Sequence, residues 1–404
     1  MLGGAMKVPK QPAVYGKGKQ TPPPVDRVVP HRLRLPPWAA GLLFAAAAIP
    51  LFVAWWNRFP IIPELFGAYW KRDLKYLTPE WGVCLSTWGG NLWSTQLVIG
   101  FELASWALGR RMLAWLFRRP PGGIWNGLLA TGLGNGLLGT LALSLGLAGL
   151  LDTAFLRLGL TGACAWAAWE LWRSRGARDG WRAAVEETRV AAAKFGVLGW
   201  GLMAYVAFIV VTNYVPAMEP EWFYDSLVYH LAVPEQWLIE HKVCLLPHTF
   251  FSNFPFLHEM QYLILLAAGG DVPCKLLHWF NGVLSAAAAG ALAAAFFGPR
   301  AGAFAAAAYL SQPTMRFLQH VTMVELGITW FETLATAAVI RAAGWWPSGR
   351  GGARGAWLCA AGCFLGYAQG TKYIGLFCSV ILLAGWLAAT WPRPRALAQP
   401  GSSR

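Results

Sequence analysis

Long apolar runs, separated by short polar or basic joints, fill the chain from about residue 38 to residue 391. The runs fall at about 38–56, 92–117, 124–149, 153–172, 194–215, 273–297, 301–318, 324–345, 356–371 and 374–391. Each approaches the ~20 residues that a helix needs to cross ~30 Å of hydrocarbon. The pattern predicts about ten helical crossings. The stretch from Leu276 to Phe297 is the plainest, with His278 and Asn281 as its only strongly polar members. The tight joints near 150–153, 298–301 and 372–374 leave room for re-entrant segments.

Residues 216–272 break the rhythm. This stretch is too long for a simple connector, and loops of such length in compact proteins usually carry function or are disordered. Its aromatic content argues against disorder: Trp222, Phe223, Tyr224, Tyr229, Trp237, Phe250, Phe251, Phe254 and Phe256 all lie in it. The pattern predicts short helices lying at the interface, over Ser226–His230, Pro234–His241 and Phe256–Leu266. The predicted fold is therefore an all-α, polytopic transmembrane bundle of about ten spans with a long extracytoplasmic loop of short interfacial helices. Four regions follow: a basic, Pro-rich cytoplasmic tail over 1–37, four spans over 38–193, a core over 194–391 that includes the loop, and a cytoplasmic tail over 392–404.

Composition agrees with a membrane setting. Hydrophobic residues make up 56% of the chain and charged residues 13%, against ~25% charged in soluble domains. Many of the 24 Trp stand near run ends, as Trp55, Trp93, Trp172, Trp200, Trp346 and Trp391 do, where amphipathic rings sit at headgroup depth. A net charge of +14 could suggest nucleic acid, but the charge is segregated into the N-terminal tail and the joints. With a cytoplasmic N-terminus, the even-numbered joints should be basic. They hold Arg110, Arg111, Arg118 and Arg119; Arg173, Arg175, Arg178 and Arg182; Arg300; Arg341, Arg350 and Arg354; and Arg393 and Arg395. The loop 216–272 has a single Lys, Lys242, and no Arg. The joint 57–91 is less clean, with Arg58, Lys71, Arg72 and Lys75. The first apolar run starts too late for a cleavable signal peptide and is followed by further runs. These features predict a multi-pass membrane protein with both termini in the cytoplasm. The seven Cys lack zinc-site spacing; Cys244 and Cys274 flank the loop and could pair in an oxidising space.

Three ionisable residues converge on the loop side by this topology. Asp225 follows an aromatic triplet, in i, i+4 register with Tyr229. It suits either a helix cap or a general base, and on pattern alone the cap is the simpler reading. Glu325 opens the eighth run, where a salt bridge or a helix N-terminus would also explain it. Lys372 stands at the turn between the ninth and tenth runs, where snorkelling to headgroups competes with a role in a site. Five of the seven His fall between 230 and 278, at intervals too irregular for a metal site.

Four blocks carry a resemblance: FYDSLVYHLAVPEQW at 223–237, SNFPFLHEMQYLILLAAGGDVPCKLLHWFNG at 252–282, VTMVELGITWF at 321–331 and LGYAQGTKYIGL at 365–376. Together they resemble the type C membrane glycosyltransferases, the broad family of dolichyl-phosphate-mannose–protein mannosyltransferases and lipid A aminoarabinose transferases. The blocks stand in family order over roughly half the chain. Glu325 replaces the Asp usual in the third. The resemblance implies a glycosyltransferase acting at the extracytoplasmic face on a polyprenyl-phosphate sugar donor and an acceptor lipid, glycan or protein. It implies Asp225 as catalytic base, and Lys372, Tyr373, Tyr229, His230 and His258 as substrate or phosphate ligands. It also implies Glu325, with Asp225, as ligand to a divalent metal, Mg²⁺ or Mn²⁺. The chain departs from the family in two respects. About four spans precede the core, and the sequence stops soon after Lys372, where relatives continue, as in a C-terminally truncated member. The rival readings are a transporter or flippase of lipid-linked sugars, with ionisable groups near mid-bilayer, and a non-catalytic membrane subunit in which Asp225, Glu325 and Lys372 do not converge.

Overall fold

The computed structural model describes residues 81–347 and 353–390. The expectations for the tail 1–37, the run 38–56, the joint 57–80 and the tail 392–404 lie outside the described residues. Among the described residues every regular element is helical. The chain runs through α1 (Trp81–Leu116), α2 (Gly123–Leu147), α3 (Thr153–Arg173), α4 (Arg175–Ala192) and α5 (Gly196–Ala217). After the loop's first turns come α6 (Ala232–Ile239) and α7 (Glu259–Gly269). Then follow α8 (Asp271–Phe297), α9 (Pro299–Leu310), α10 (Pro313–Leu318), α11 (Glu325–Ala342), α12 (Arg354–Thr371) and α13 (Gly375–Thr390).

Helices α2, α5 and α8 are long and apolar enough to cross a membrane. Their 25, 22 and 27 residues extend about 38, 33 and 40 Å at ~1.5 Å per residue. The run 301–318 differs from expectation. It is two helices, α9 and α10, because Pro313 lacks an N–H and pushes the residue before it out of the helical region; Gln312 has ψ 130°. The 12 residues of α9 cover only ~18 Å, too little for a crossing. The joint after the fourth run is also more than a connector. It forms the amphipathic helix α4, whose Glu187 accepts a hydrogen bond from the Ile124 amide at 2.9 Å.

Small residues let α1 and α2 cross closely. A side chain at Gly109 would strike the Ala130 carbonyl, and one at Gly134 the Ser105 carbonyl. This is the small-residue packing that membrane helices use when no hydrophobic difference separates lipid from protein.

The joints segregate to two ends. At one end Glu170 pairs with Arg110 and with Arg111 (2.6 Å), tying α1 to α3. Arg300 donates to the carbonyls of Lys194 and Phe195. Trp346 packs on Trp125 and Phe296, and Phe117 on Trp357. This is the Arg-rich end of the sequence pattern. At the opposite end, the Leu151 amide donates to His241 O and the Val243 amide to Gly146 O, so the loop pairs with the α2–α3 joint.

Candidate functional site

The loop 216–272 folds as a π turn (Ser226–His230), α6, a 3₁₀ turn (Phe250–Asn253) and α7, close to the three predicted helices. Its entry is fixed by side chains on main-chain groups. Glu221 accepts from the amides of Trp222 (2.8 Å), Phe223 (3.0 Å) and, across the fold, Thr322 (2.6 Å). Asp271, at the start of α8, accepts from the Glu221 amide at 2.7 Å. Lys275, fully buried one turn into α8, donates to Pro220 O at 3.0 Å. The loop is thereby bound to the segment leading into α11.

Asp225 lies at the head of the π turn in helical conformation, and its side chain caps nothing. The cap reading is therefore corrected: with φ −63° and ψ −36°, Asp225 lacks the extended backbone that an N-cap residue usually adopts. Its half-buried carboxylate accepts no hydrogen bond among the described residues. Tyr229, one turn on, is sandwiched between His230 (centroids 4.1 Å) and Phe251 (4.3 Å, planes 11° apart). Burial pushes its phenol up to about 12, reinforced by the negative charges of Asp225, Glu325 and Glu259. Three carboxylates thus act on one phenol, which stays protonated as a hydrogen-bond donor.

Glu325 and Lys372 pair directly, Oε1 to Nζ, at 2.7 Å. Lys372 is 42% and Glu325 30% exposed, so the pair stands at a surface and not in the interior. The other Glu325 oxygen accepts from the Val324 amide at 3.1 Å. Two contacts carry the second block to this pair. The Leu257 amide donates to Gly370 O at 2.9 Å, just before Lys372. The His258 ring lies against Gly327, two residues after Glu325.

Behind these groups is a buried polar layer. His230 Nδ1 lies 2.8 Å from Glu259 Oε1, with both side chains almost wholly buried. Burial pushes the Glu259 carboxyl up, and the His230 hydrogen bond partly offsets this. His258 Nε2 is 3.3 Å from Asn281 Nδ2. Burial holds the His258 imidazole well below its usual range, as do the neighbouring His278 and His230. His278 bridges Val321 O (2.8 Å) and the Leu326 amide (3.1 Å). Buried atoms left without a partner cluster here: Ser226 Oγ, His230 Nε2, His258 Nδ1, Glu259 Oε2 and Asn281 Oδ1.

No protein-family model, curated protein or solved structure matches the chain.

The structure brings Asp225 and Glu325 within electrostatic reach of Tyr229, with Lys372 joined to Glu325. It places His230 and His258 beneath them as buried supports, without the access that ligand-binding residues would need. Tyr373 is 68% exposed, with no hydrogen bond joining its side chain to the others. The residues fit a divalent metal poorly. Glu325 is engaged by Lys372 and the Val324 amide, and among the described residues no three His, Cys, Asp or Glu side chains gather as a ligand set. Cys244 and Cys274, which could have paired across the loop, are both free; Cys274 is buried with its thiol toward Tyr262 O and Gly270 O. Sequence reasoning missed Lys275 and the Glu221 and Glu259 contacts. One signal was available: Lys275, His278, Asn281 and Ser285 recur at helical spacing in an apolar run, and all four are buried.

Proposed function

We propose that the chain is a membrane glycosyltransferase core that takes a sugar from a polyprenyl-phosphate donor at the extracytoplasmic face. The observation that carries this reading is that Asp225, which has no hydrogen-bond partner among the described residues, and Glu325, ion-paired with Lys372 at the surface, both act electrostatically on Tyr229. Asp225 removes the proton of an acceptor hydroxyl, whose oxygen attacks the anomeric carbon as the carbon–oxygen bond to the lipid phosphate breaks. Lys372 turns from Glu325 towards the departing phosphate and offsets its charge. Tyr229 donates a hydrogen bond to the sugar or acceptor. The His230–Glu259 and His258–Asn281 contacts hold the loop against α8 and α11. The same reading takes the 36-residue α1 and the helices α3, α11, α12 and α13 as further spans, and the Arg-rich end as cytoplasmic. A bacterial inner membrane is its setting.

The ionic pair argues against the rival transporter, because it lies at the loop end of the fold, while a transport site is expected near mid-bilayer. The test is release of sugar from a panel of polyprenyl-phosphate donors by purified protein, with and without Mg²⁺ or Mn²⁺, alongside Asp225→Asn. Base catalysis contributes ~10²–10⁴-fold, so the variant should lose about that much turnover. Its unfolding midpoint should stay at the wild-type value, because there is no cap bond to lose. An Asn variant as active as wild type would refute Asp225 as base. A wild-type protein inert on the whole panel, yet binding such lipids, would favour the transporter.

A further inference from the structure

A cleft of about 440 Å³ opens on the other side of the loop, between the first turn of α3, α6 and the α7–α8 joint. Asp225, Tyr229, Glu325 and Lys372 do not line it. Its walls are of two kinds. Thr153, Arg157, Glu235 and Asp271 supply polar and charged groups, and Leu227 and Leu238 supply apolar surface. Arg157 is pre-oriented. Its Nε donates to Ala267 O in the last turn of α7, which leaves both terminal nitrogens of the guanidinium without a protein partner. Glu235 is exposed, and its carboxylate makes no hydrogen bond among the described residues. The Thr153 hydroxyl is likewise unbonded. Gly270 and Asp271 mark the start of α8, a helix long and apolar enough to cross a membrane; with α8 read as a span, the cleft falls at the depth of lipid headgroups.

We propose that this cleft binds the headgroup of an ethanolamine-type glycerophospholipid. One cation faced by two carboxylates disfavours an anionic headgroup and equally a simple cation. A zwitterion satisfies both. The phosphodiester meets the free fork of Arg157 and the Thr153 hydroxyl, because a planar guanidinium suits a phosphate's oxygens. The primary ammonium, with three N–H donors, meets Glu235 and Asp271. A quaternary choline has no N–H to give and should bind less well. The acyl chains leave past Leu227, which is 51% exposed. The volume falls within the ~300–1,000 Å³ usual for small-molecule sites. This site joins α3 to the loop and gives the N-terminal helices a task of their own, independent of the proposed transfer reaction.

The test is native mass spectrometry of the full chain, delipidated in detergent, titrated with phosphatidylethanolamine, phosphatidylcholine or phosphatidylglycerol of the same acyl chains. Wild type should retain one phosphatidylethanolamine about tenfold more tightly than either other lipid, the size of one charge-assisted hydrogen-bonded pair. Arg157→Gln should reduce that affinity by about tenfold. Glu235→Gln alters an exposed, unbonded side chain, so folding is not at stake. It should abolish the preference over phosphatidylcholine while retaining phosphate binding. Equal affinity for all three lipids, or unchanged selectivity in Glu235→Gln, would overturn the proposal. So would soluble glycerophosphoethanolamine competing as strongly as the intact lipid, since that would assign the cleft to a free headgroup.

Discussion

Gly327→Ala probes the contact that joins the loop to α11. The added methyl would stand 2.5 Å from His258 Cε1, 2.6 Å from Nδ1 and 2.9 Å from Nε2. Ordinary carbon contacts are ~3.5–4.0 Å, so the ring must retreat by about 1 Å. It has little room, because Nε2 is held at 3.3 Å by Asn281 and the ring packs edge-on against Tyr262 with centroids 4.9 Å apart. Overpacking of this kind costs about 1–3 kcal/mol. Replacing a helical Gly by Ala returns up to about 1 kcal/mol. The expected net loss is about 1–2 kcal/mol, a fall of roughly 1–3 °C in midpoint for a chain of 404 residues. Thermal unfolding in detergent, followed by tryptophan emission, measures it. In the background His258→Ala the clash partner is gone, so the same Gly327→Ala change should be neutral or stabilising. A single variant at least as stable as wild type, or a penalty that persists without His258, would refute the contact.

Three other outcomes follow from the geometry. Lys372→Gln should cost no more than about 1 kcal/mol of stability, because a pair this exposed is worth little, while removing most turnover on a lipid-phosphate donor; intact turnover would separate Lys372 from the phosphate. His320, which is paired with Asn213 at 3.1 Å, is held at about 4 by burial and by the charges of Arg316 and Lys275. A lowered imidazole stabilises the fold above its unfolded value of ~6.5 and loses that contribution as pH falls through 4. Between pH 7.5 and 5, wild type should therefore lose on the order of 1–2 kcal/mol more than His320→Gln; parallel pH profiles would remove His320 as the cause. A single Cys at the exposed Asn253, in a Cys-free background, should react with impermeant maleimide from outside the cell; labelling only from the cytoplasmic side would reverse the orientation.

The fold was legible where one force dominates. Apolar runs marked α2, α5 and α8, and aromatic density marked 216–272 as ordered. Boundaries of the short loop helices emerged because Pro234 and the Phe254–Pro255 pair punctuate the chain. The failures have physical causes too. Hydrophobicity counted 301–318 as one crossing because a single proline barely alters a hydropathy sum, although it breaks the hydrogen-bond ladder. Arg175–Ala192 read as a charged joint because its amphipathic face is narrow and its mean polarity high. Asp225 read as a cap because spacing cannot distinguish a π turn, which shifts the backbone bonding to i, i+5, from an α-helix with a free N-terminus.

The site was half legible for a related reason. Asp225, Glu325 and Lys372 could be read as unusual because each is a charge beside an apolar run, and such a charge needs an explanation. What holds them together runs largely through bonds to main-chain groups, which have no such signature. Leu257 donates a backbone bond to Gly370, and His278 receives one from Leu326. Glu221 spends its carboxylate on three amides. Apart from the Glu221 bonds to Trp222 and Phe223, each contact is between segments remote in sequence, and none changes the local pattern. The stripe Lys275, His278, Asn281 and Ser285 is the exception, since burying polar groups along one face of α8 demands partners from elsewhere. Those partners are Pro220, Val321, His258 and Leu326. Helix α8 thus reads the loop on one side and the head of α11 on the other, and this shared polar face is what brings Asp225 and Glu325 within electrostatic reach of one tyrosine.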